Sequence, residues 1–270
     1  MAAGQLDPAV QLVQTRFRLH LVDGWNVAPG SNVLEIGCGQ GDLTAVLADA
    51  VGPAGHVLAV DLADPGYGSP VTLGESAAFL HGTPLGERID FRFGFDVLDP
   101  TNSFPDDAFD HVVLAHCSWY FESLEQLRHV FRRVRPWSKH LDISEWDLRP
   151  HAIEQLPHLL AVLIQGQIEA TGARGEGNIR TPYSRDSLDR MLAETGWRIA
   201  ADRLVDTSTL QDADWEIGAC LAMVDLDGRL ADIPPLNRDL LHSQVDVLRA
   251  TALPKGNRPL PSYAITAKRA

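Results

Sequence analysis

The chain has 270 residues, with 23 Lys and Arg against 36 Asp and Glu, a formal net charge of −13. At 45% hydrophobic and 22% charged it is ordinary globular material, which excludes wholesale disorder and collagen-like repeats, and it is long enough for one large domain or a domain with a cap. The acidic balance argues against a protein that grips a phosphate backbone, where clustered Lys and Arg supply the affinity.

Apolar positions at Leu6, Val10, Val13, Phe17 and Leu21 predict a helix over 6–22, closed by a loop holding Gly24, Pro29 and Gly30. Asn32–Ile36 reads as a strand that opens directly into Gly37-Cys38-Gly39-Gln40-Gly41. Leu43, Val46, Leu47 and Ala50 form the next helical stripe, and His56–Val60 is a second strand ending at Asp61. Strand, glycine loop, helix, strand and acid make a βαβ unit with a parallel sheet. Glu75–His81 reads as a short helix, Ile89–Phe93 as a strand reaching Asp96, and Phe109–Ala115 as a buried strand followed by a loop from His116 to Tyr120. Leu124, Leu127, Val130, Phe131 and Val134 mark a helix, with Ser123 and Gln126 placed for a capping box. His140–Ile143 begins another strand. Residues 151–170 read as helical apart from Pro157, and 172–182 as a mobile connection. Ser187–Glu194 is predicted helical, with Trp197–Val205 and Tyr263–Lys268 as strands; Asp214–Met223 and Asn237–Ala250 are two further helices in the long stretch 206–260.

This alternation predicts an α/β doubly wound sheet. The expected organisation is a core over 1–150 including the N-terminal helix, a helical lid insertion over 151–182, a return to the core over 183–205, a second helical insertion over 206–260 and a last core strand over 261–270. The three cysteines, Cys38, Cys117 and Cys220, form no Cys-x-x-Cys pair and favour a reducing compartment. The N-terminus lacks a basic and an apolar leader region, and the longest apolar runs fall far short of the about 20 residues of a membrane span. A cytoplasmic protein is expected, with neither a membrane nor a nucleic acid as partner.

In an open α/β sheet the first βα loop is the usual ligand anchor, because glycines let the backbone approach and the following helix offers free N–H groups. A dinucleotide fingerprint needs a third glycine at the sixth place counted from Gly37, where this chain has Asp42; no Gly-Lys-Ser/Thr follows either. The run Val33-Leu34-Glu35-Ile36-Gly37-Cys38-Gly39-Gln40-Gly41 resembles the first motif of class I, Rossmann-like S-adenosylmethionine-dependent methyltransferases, E/D-x-G-x-G-x-G, at every fixed place. Asp61, 20 residues past Gly41, is similar to the acid that holds the ribose hydroxyls, and Asp96 with Val97 to the pair that reads the adenine edge. Phe104-Pro105 and Phe109-Asp110 resemble the family's run into strand four.

The resemblance covers 15–147 well and 180–205 with 262–268 more loosely. It implies a seven-stranded, mostly parallel sheet with a final antiparallel strand. It also implies S-adenosylmethionine as cofactor, S-adenosylhomocysteine as product, and contacts from Glu35, Gly37, Cys38, Gly39, Gly41, Asp61, Leu62, Asp96, Val97 and His116. The stretch 63–70, which replaces the family's short turn after this acid, is expected to act as an adenosine-side flap.

Methyl transfer is an in-line displacement that orientation and desolvation accelerate without an obligatory base. His116 is the candidate catalytic base for a small-molecule acceptor; packing beside the methionine moiety is the competing role. Trp119 and Tyr120 are candidates for an aromatic acceptor wall, with His20, Trp146 and Trp215 as weaker ones. His116, Asp142, Ser144 and Glu145 stand where metal-dependent relatives carry Asp, Asp and Asn, so no metal is expected. The expected activity is methyl transfer to O or N of a small molecule, less readily to S or C. An NAD(P)-dependent oxidoreductase, an RNA or protein methyltransferase, and a regulator that binds the cofactor without methylating remain as alternatives, the second disfavoured by charge.

Overall fold

A computed structural model describes residues 7–172, 179–226 and 229–270. Leu6 of the predicted first helix and residues 173–178 of the predicted connection lie outside them.

Helix α1 (Pro8–Trp25) starts where the Asp7 side chain accepts from Ala9 N–H at 2.9 Å, and Pro8 fills a first-turn position that needs no N–H. It buries Phe17, Leu21, Val22 and Trp25. Then follow β1 (Asn32–Ile36), α2 (Asp42–Val51), β2 (His56–Val60), α3 (Leu73–His81), β3 (Ile89–Arg92), β4 (Phe109–Ala115), α4 (Leu124–Val134) and β5 (Ser138–Trp146). The second half holds α5 (Leu156–Ala170), α6 (Arg185–Glu194), β6 (Trp197–Val205), α7 (Asp212–Leu226), α8 (Pro235–Thr251) and β7 (Ser262–Arg269). Among the described residues seven strands form one sheet in the order β3-β2-β1-β4-β5-β7-β6. β7 runs antiparallel to both neighbours and every other pair is parallel. The order reverses between β1 and β4, so the crevice beyond their carboxyl ends is the ligand position of an open α/β sheet.

The predicted doubly wound sheet with a final antiparallel strand is the observed one. β1 buries Val33, Leu34 and Ile36; α4 buries Leu127, Val130, Phe131 and Val134, one stripe at helical spacing. Truncating Leu127 to Ala would cost about 2–5 kcal/mol. Three local expectations change. Ser123 Oγ accepts from Gln126 N–H, but Gln126 Oε1 reaches past it to Glu122 N–H at 2.8 Å, so the predicted reciprocal box is half made. The reciprocal box sits instead at Thr72 and Glu75 on α3. Pro157 does not interrupt a helix: Ile153–Gln155 is a 3₁₀ turn and Pro157 lies in the first turn of α5.

Helices α5, α7 and α8 pack on one another around Ile164, Ile168, Ile217, Cys220, Met223, Leu241, Val245 and Leu248, a hydrophobic cluster separate from the main core. No described helix is long and apolar enough to cross a membrane.

Candidate active site

Beyond Ile36 the chain turns at Gly37, where Gly37 N–H and Cys38 N–H both donate to Val60 O, at 2.8 and 3.1 Å. The loop is thereby tied to the end of β2. Gly37 has φ +74°, and a Cβ there would sit 2.7 Å from Cys117 Cβ, so only glycine permits the approach of the loop after β4. The Cys117 thiol donates to Ile36 O at 3.1 Å across the same contact. Gly39 is the opposite case: at φ +52° a Cβ would meet nothing within 4 Å, so the backbone borders open space. Gly41, at φ +81°, caps α2. Cys38 is buried in the core, where burial pushes its thiol pKa up and keeps it protonated.

The acids converge on this loop. Asp61 Oδ2 accepts from Gly39 N–H and Oδ1 from Ala63 N–H, both at 2.9 Å. Each carboxylate oxygen retains a lone pair. Leu62 beside it is 66% exposed. Glu35 is buried and takes the Thr44 hydroxyl at 2.6 Å; burial pushes its pKa up to about 8 against that bond. Asp96 Oδ1 caps Leu98 N–H at 2.8 Å, its side chain is exposed, and Val97 is buried beside it. The 63–70 stretch is anchored to the glycine loop through its neighbours: Gln40 Nε2 donates to Val71 O and Ser76 Oγ donates to Gln40 O, both at 2.6 Å.

Past β4, His116 adopts φ +50°, the left-handed region, with its N–H donating to Ser144 O at 2.9 Å. Its side chain is 22% exposed and lies between the rings of Phe17 and Trp146, at 5.5 and 4.8 Å. Nε2 is 3.1 Å from Ser144 Oγ and 3.2 Å from Ser262 Oγ, and Nδ1 is 3.5 Å from Glu145 Oε1. Glu145, 2% exposed, accepts from Ser118 N–H and from the Ser118 hydroxyl on Oε2, and from Trp146 N–H on Oε1. Tyr183 Oη lies 2.5 Å from Ser118 Oγ. It arrives there because Arg180 N–H and Thr181 N–H both bond Trp119 O at 3.0 Å.

Sequence reasoning singled out His116 and missed this cluster. Ser118, Glu145, Tyr183 and Ser262 come from four separated segments, and no local pattern marks them. Of the aromatic candidates, Trp119 is core, edge-on to Tyr183, while Tyr120 is 47% exposed. Trp146 sits between His116 and His158. His20 and Trp215 are on the surface.

Helix α1 links the start of α2, just past the glycine loop, to the helical cluster. Gln11 Nε2 donates to Asp42 Oδ1 at 3.1 Å, and Gln14 Nε2 donates to Asp212 Oδ2 at 2.8 Å at the start of α7.

The methyltransferase domain family model matches residues 16–201. This chain belongs to the class I S-adenosylmethionine-dependent methyltransferases. A crystal structure of a cyclopropane-fatty-acyl-phospholipid synthase-like protein from Lactobacillus casei is 36% identical with TM-score 0.86, covering 96% of this chain and 92% of that one. The methyltransferase phomM' of Diaporthe leptostromiformis is 34% identical over 206 residues, 62% of this chain and 53% of that protein. Nocamycin O-methyltransferase of Saccharothrix syringae is 32% identical over 114 residues, 42% of this chain and 37% of that protein. The chain spans about half the length of the first of these curated relatives.

The methyltransferase family's cofactor is S-adenosylmethionine, and the residues present fit it. Asp61 has lone pairs for a ribose diol, Gly39 borders open space, and residues 37–41 carry no Lys or Arg for a phosphate.

Proposed function

We propose that the protein transfers a methyl group from S-adenosylmethionine to an oxygen or nitrogen of a small molecule. The observation that carries this reading is the union of Asp61 with Gly39, an acid of the second strand bonded into the first glycine loop beside open space. Bound S-adenosylmethionine would supply a methyl group activated on a sulfonium.

The chain's own residues bind, orient and manage a proton. Asp61 accepts from the ribose hydroxyls, and Asp96 with Val97 N–H meets the adenine edge. Gly37, Gly39 and Gly41 shape the loop, with Cys38 packing beneath it, and Leu62 covers the ribose side. Glu35 lies toward the methionine end. His116 receives the acceptor's proton as general base. Helices α5, α7 and α8 form a lid that excludes water from the acceptor; the Gln14–Asp212 bond and the Gln165–Glu216 bond at 3.1 Å support its seating. Half-exposed Tyr120 lines the acceptor mouth, with Trp119 packed behind it.

Radiolabelled methyl transfer from S-adenosylmethionine across a panel of small O–H, N–H, S–H and carbon acceptors tests the proposal. Labelled product from an O–H or N–H compound is expected. Exclusive labelling of carbon or sulfur acceptors, or cofactor binding with no transfer, would overturn it, the latter in favour of a regulator.

A further inference from the structure

A second polar site lies at the opposite end of the sheet from the glycine loop. His111 on β4, His140 on β5, Lys268 on β7 and Arg198 on β6 stand opposite one another in register, a row across four strands. Residues paired in this way project from the same face of a sheet. Strands β4 and β5 begin at Phe109 and Ser138, so the row lies near their amino ends, about 16 Å of strand away from His116. His111, His140 and Lys268 line a cavity of about 390 Å³, the size of a small-molecule site. Trp25, Ala200 and Ala201 give it an apolar wall.

Each histidine is tied down at one nitrogen. Asp142 Oδ2 takes the Nδ1 hydrogen of His111 at 2.6 Å, and Asp110 O takes that of His140 at 3.1 Å, because a carboxylate or a carbonyl can only accept. Nε2 of both rings has no partner among the described residues, although the His111 side chain is only 7% exposed. The two rings stack at 4.8 Å. Trp25 Nε1, in the same wall, is a buried donor that likewise has no partner among the described residues. The acids are already spent. Buried Asp142 also takes the Thr266 hydroxyl at 2.6 Å, and Asp110 holds Lys139 Nζ at 2.7 Å and Asn32 N–H at 3.0 Å. Lys268 and Arg198, both exposed, have no acidic partner among the described residues. Residues 25–31, which form the rest of the wall, hold no ionisable side chain. Unspent cations and donors beside neutralised carboxylates are the complement of an oxyanion.

We propose that this cavity binds a small organic oxyanion, a carboxylate or a phosphate ester, whose apolar body rests on Trp25, Ala200 and Ala201. It shares no residue with the glycine loop or the His116 cluster and does not depend on the methyl-transfer reading. The anion arrives with a proton: one Nε2 takes it up from solvent, and the imidazolium N–H then donates to the oxyanion beside Lys268. Burial and the neighbouring His111 ring hold the His140 imidazole below its ordinary value, so anion binding and proton uptake are linked. Charge that falls on the His111 ring is steadied by the Asp142 carboxylate behind it.

The test is NMR of the histidine rings in the full chain, titrated with benzoate and with phenyl phosphate, and with benzamide as the neutral counterpart of benzoate. Saturable shifts of the His111 and His140 signals are expected with either anion, the tighter one naming the head group, and none with benzamide. Binding should tighten about tenfold or more between about pH 7.5 and about pH 6, because each anion arrives with a proton. His140→Gln should weaken it about tenfold and Lys268→Gln about threefold, the latter being an exposed charge. Saturating S-adenosylhomocysteine should leave the titration unchanged. Absence of saturable binding of both anions at about pH 6 overturns the proposal. So do benzamide binding as tight as benzoate, anion binding that leaves both rings unmoved, and displacement of the anion by S-adenosylhomocysteine. If a variant fails to fold, the wild-type titrations against benzamide and against pH still decide.

Discussion

Gly39 N–H donates to Asp61 Oδ2 at 2.9 Å, so the middle glycine of the first loop and the acid closing β2 form one rigid unit. The two residues are 22 positions apart in sequence and come from parallel neighbours in the sheet. The bond fixes the carboxylate's orientation while leaving it lone pairs for a ligand.

Asp61→Ala is expected to cost about 1.5–3 kcal/mol of S-adenosylhomocysteine affinity, the range of charge-assisted hydrogen bonds. Titration calorimetry checks it. An unchanged dissociation constant would remove Asp61 from the ribose role.

Two glycine substitutions separate packing from binding. Gly37→Ala places a Cβ 2.7 Å from Cys117 Cβ at φ +74°, so it should destabilise the fold by more than about 1 kcal/mol. Gly39→Ala meets only open space, at φ +52°, so it should lower the melting temperature less while weakening S-adenosylhomocysteine binding more. Equal effects of the two on Tm and on affinity would contradict this division.

Glu35 and His158 bend the pH dependence of stability in opposite directions. Burial raises the Glu35 carboxyl from 4.5 to about 8. Between those values the unfolded chain has lost a proton the folded chain keeps, so stability falls by about 1.4 kcal/mol per unit as pH rises. Burial, aided by His116, lowers the His158 imidazole from 6.5 to about 3. There the unfolded chain holds the extra proton, so stability falls at the same slope as pH drops. The two slopes cancel between 4.5 and 6.5 and act alone on either side. Urea unfolding without cofactor should therefore show a shallower alkaline decline in Glu35→Gln, where buried Glu216 still contributes, and a shallower acid decline in His158→Gln, which keeps an acceptor for Leu260 N–H while His140 and the lowered carboxylates still contribute. An alkaline limb as steep in E35Q as in wild type would refute the Glu35 assignment.

His116→Ala is expected to lower kcat by about 10²–10⁴-fold with cofactor affinity retained. Steady-state kinetics with the acceptor identified, beside calorimetry, measures both. A change under about threefold would leave His116 only a packing role.

The glycine loop and the acid bonded into it, the proposed cofactor side, were legible because the pattern is local. Gly37, Gly39 and Gly41 follow an apolar strand directly, and Asp61 ends the next one, so loop, helix and acid are read in one pass. The acceptor side was not. β5 extends from Ser138 to Trp146, beyond the apolar run His140–Ile143, because its buried Ser144 and Glu145 are satisfied by hydrogen bonds. Hydrophobic periodicity cannot register a polar residue whose burial depends on partners such as Ser262, 118 positions away from Ser144. The three helices of the α5, α7 and α8 cluster were readable one by one, whereas their common core depends on tertiary packing alone.

The measurement that tests the account most directly is calorimetric titration of the wild-type protein with S-adenosylhomocysteine and with NADH, repeated in Asp61→Ala. The account predicts saturable binding of S-adenosylhomocysteine, weakened in D61A, and no binding of NADH. Binding of NADH without S-adenosylhomocysteine would contradict it.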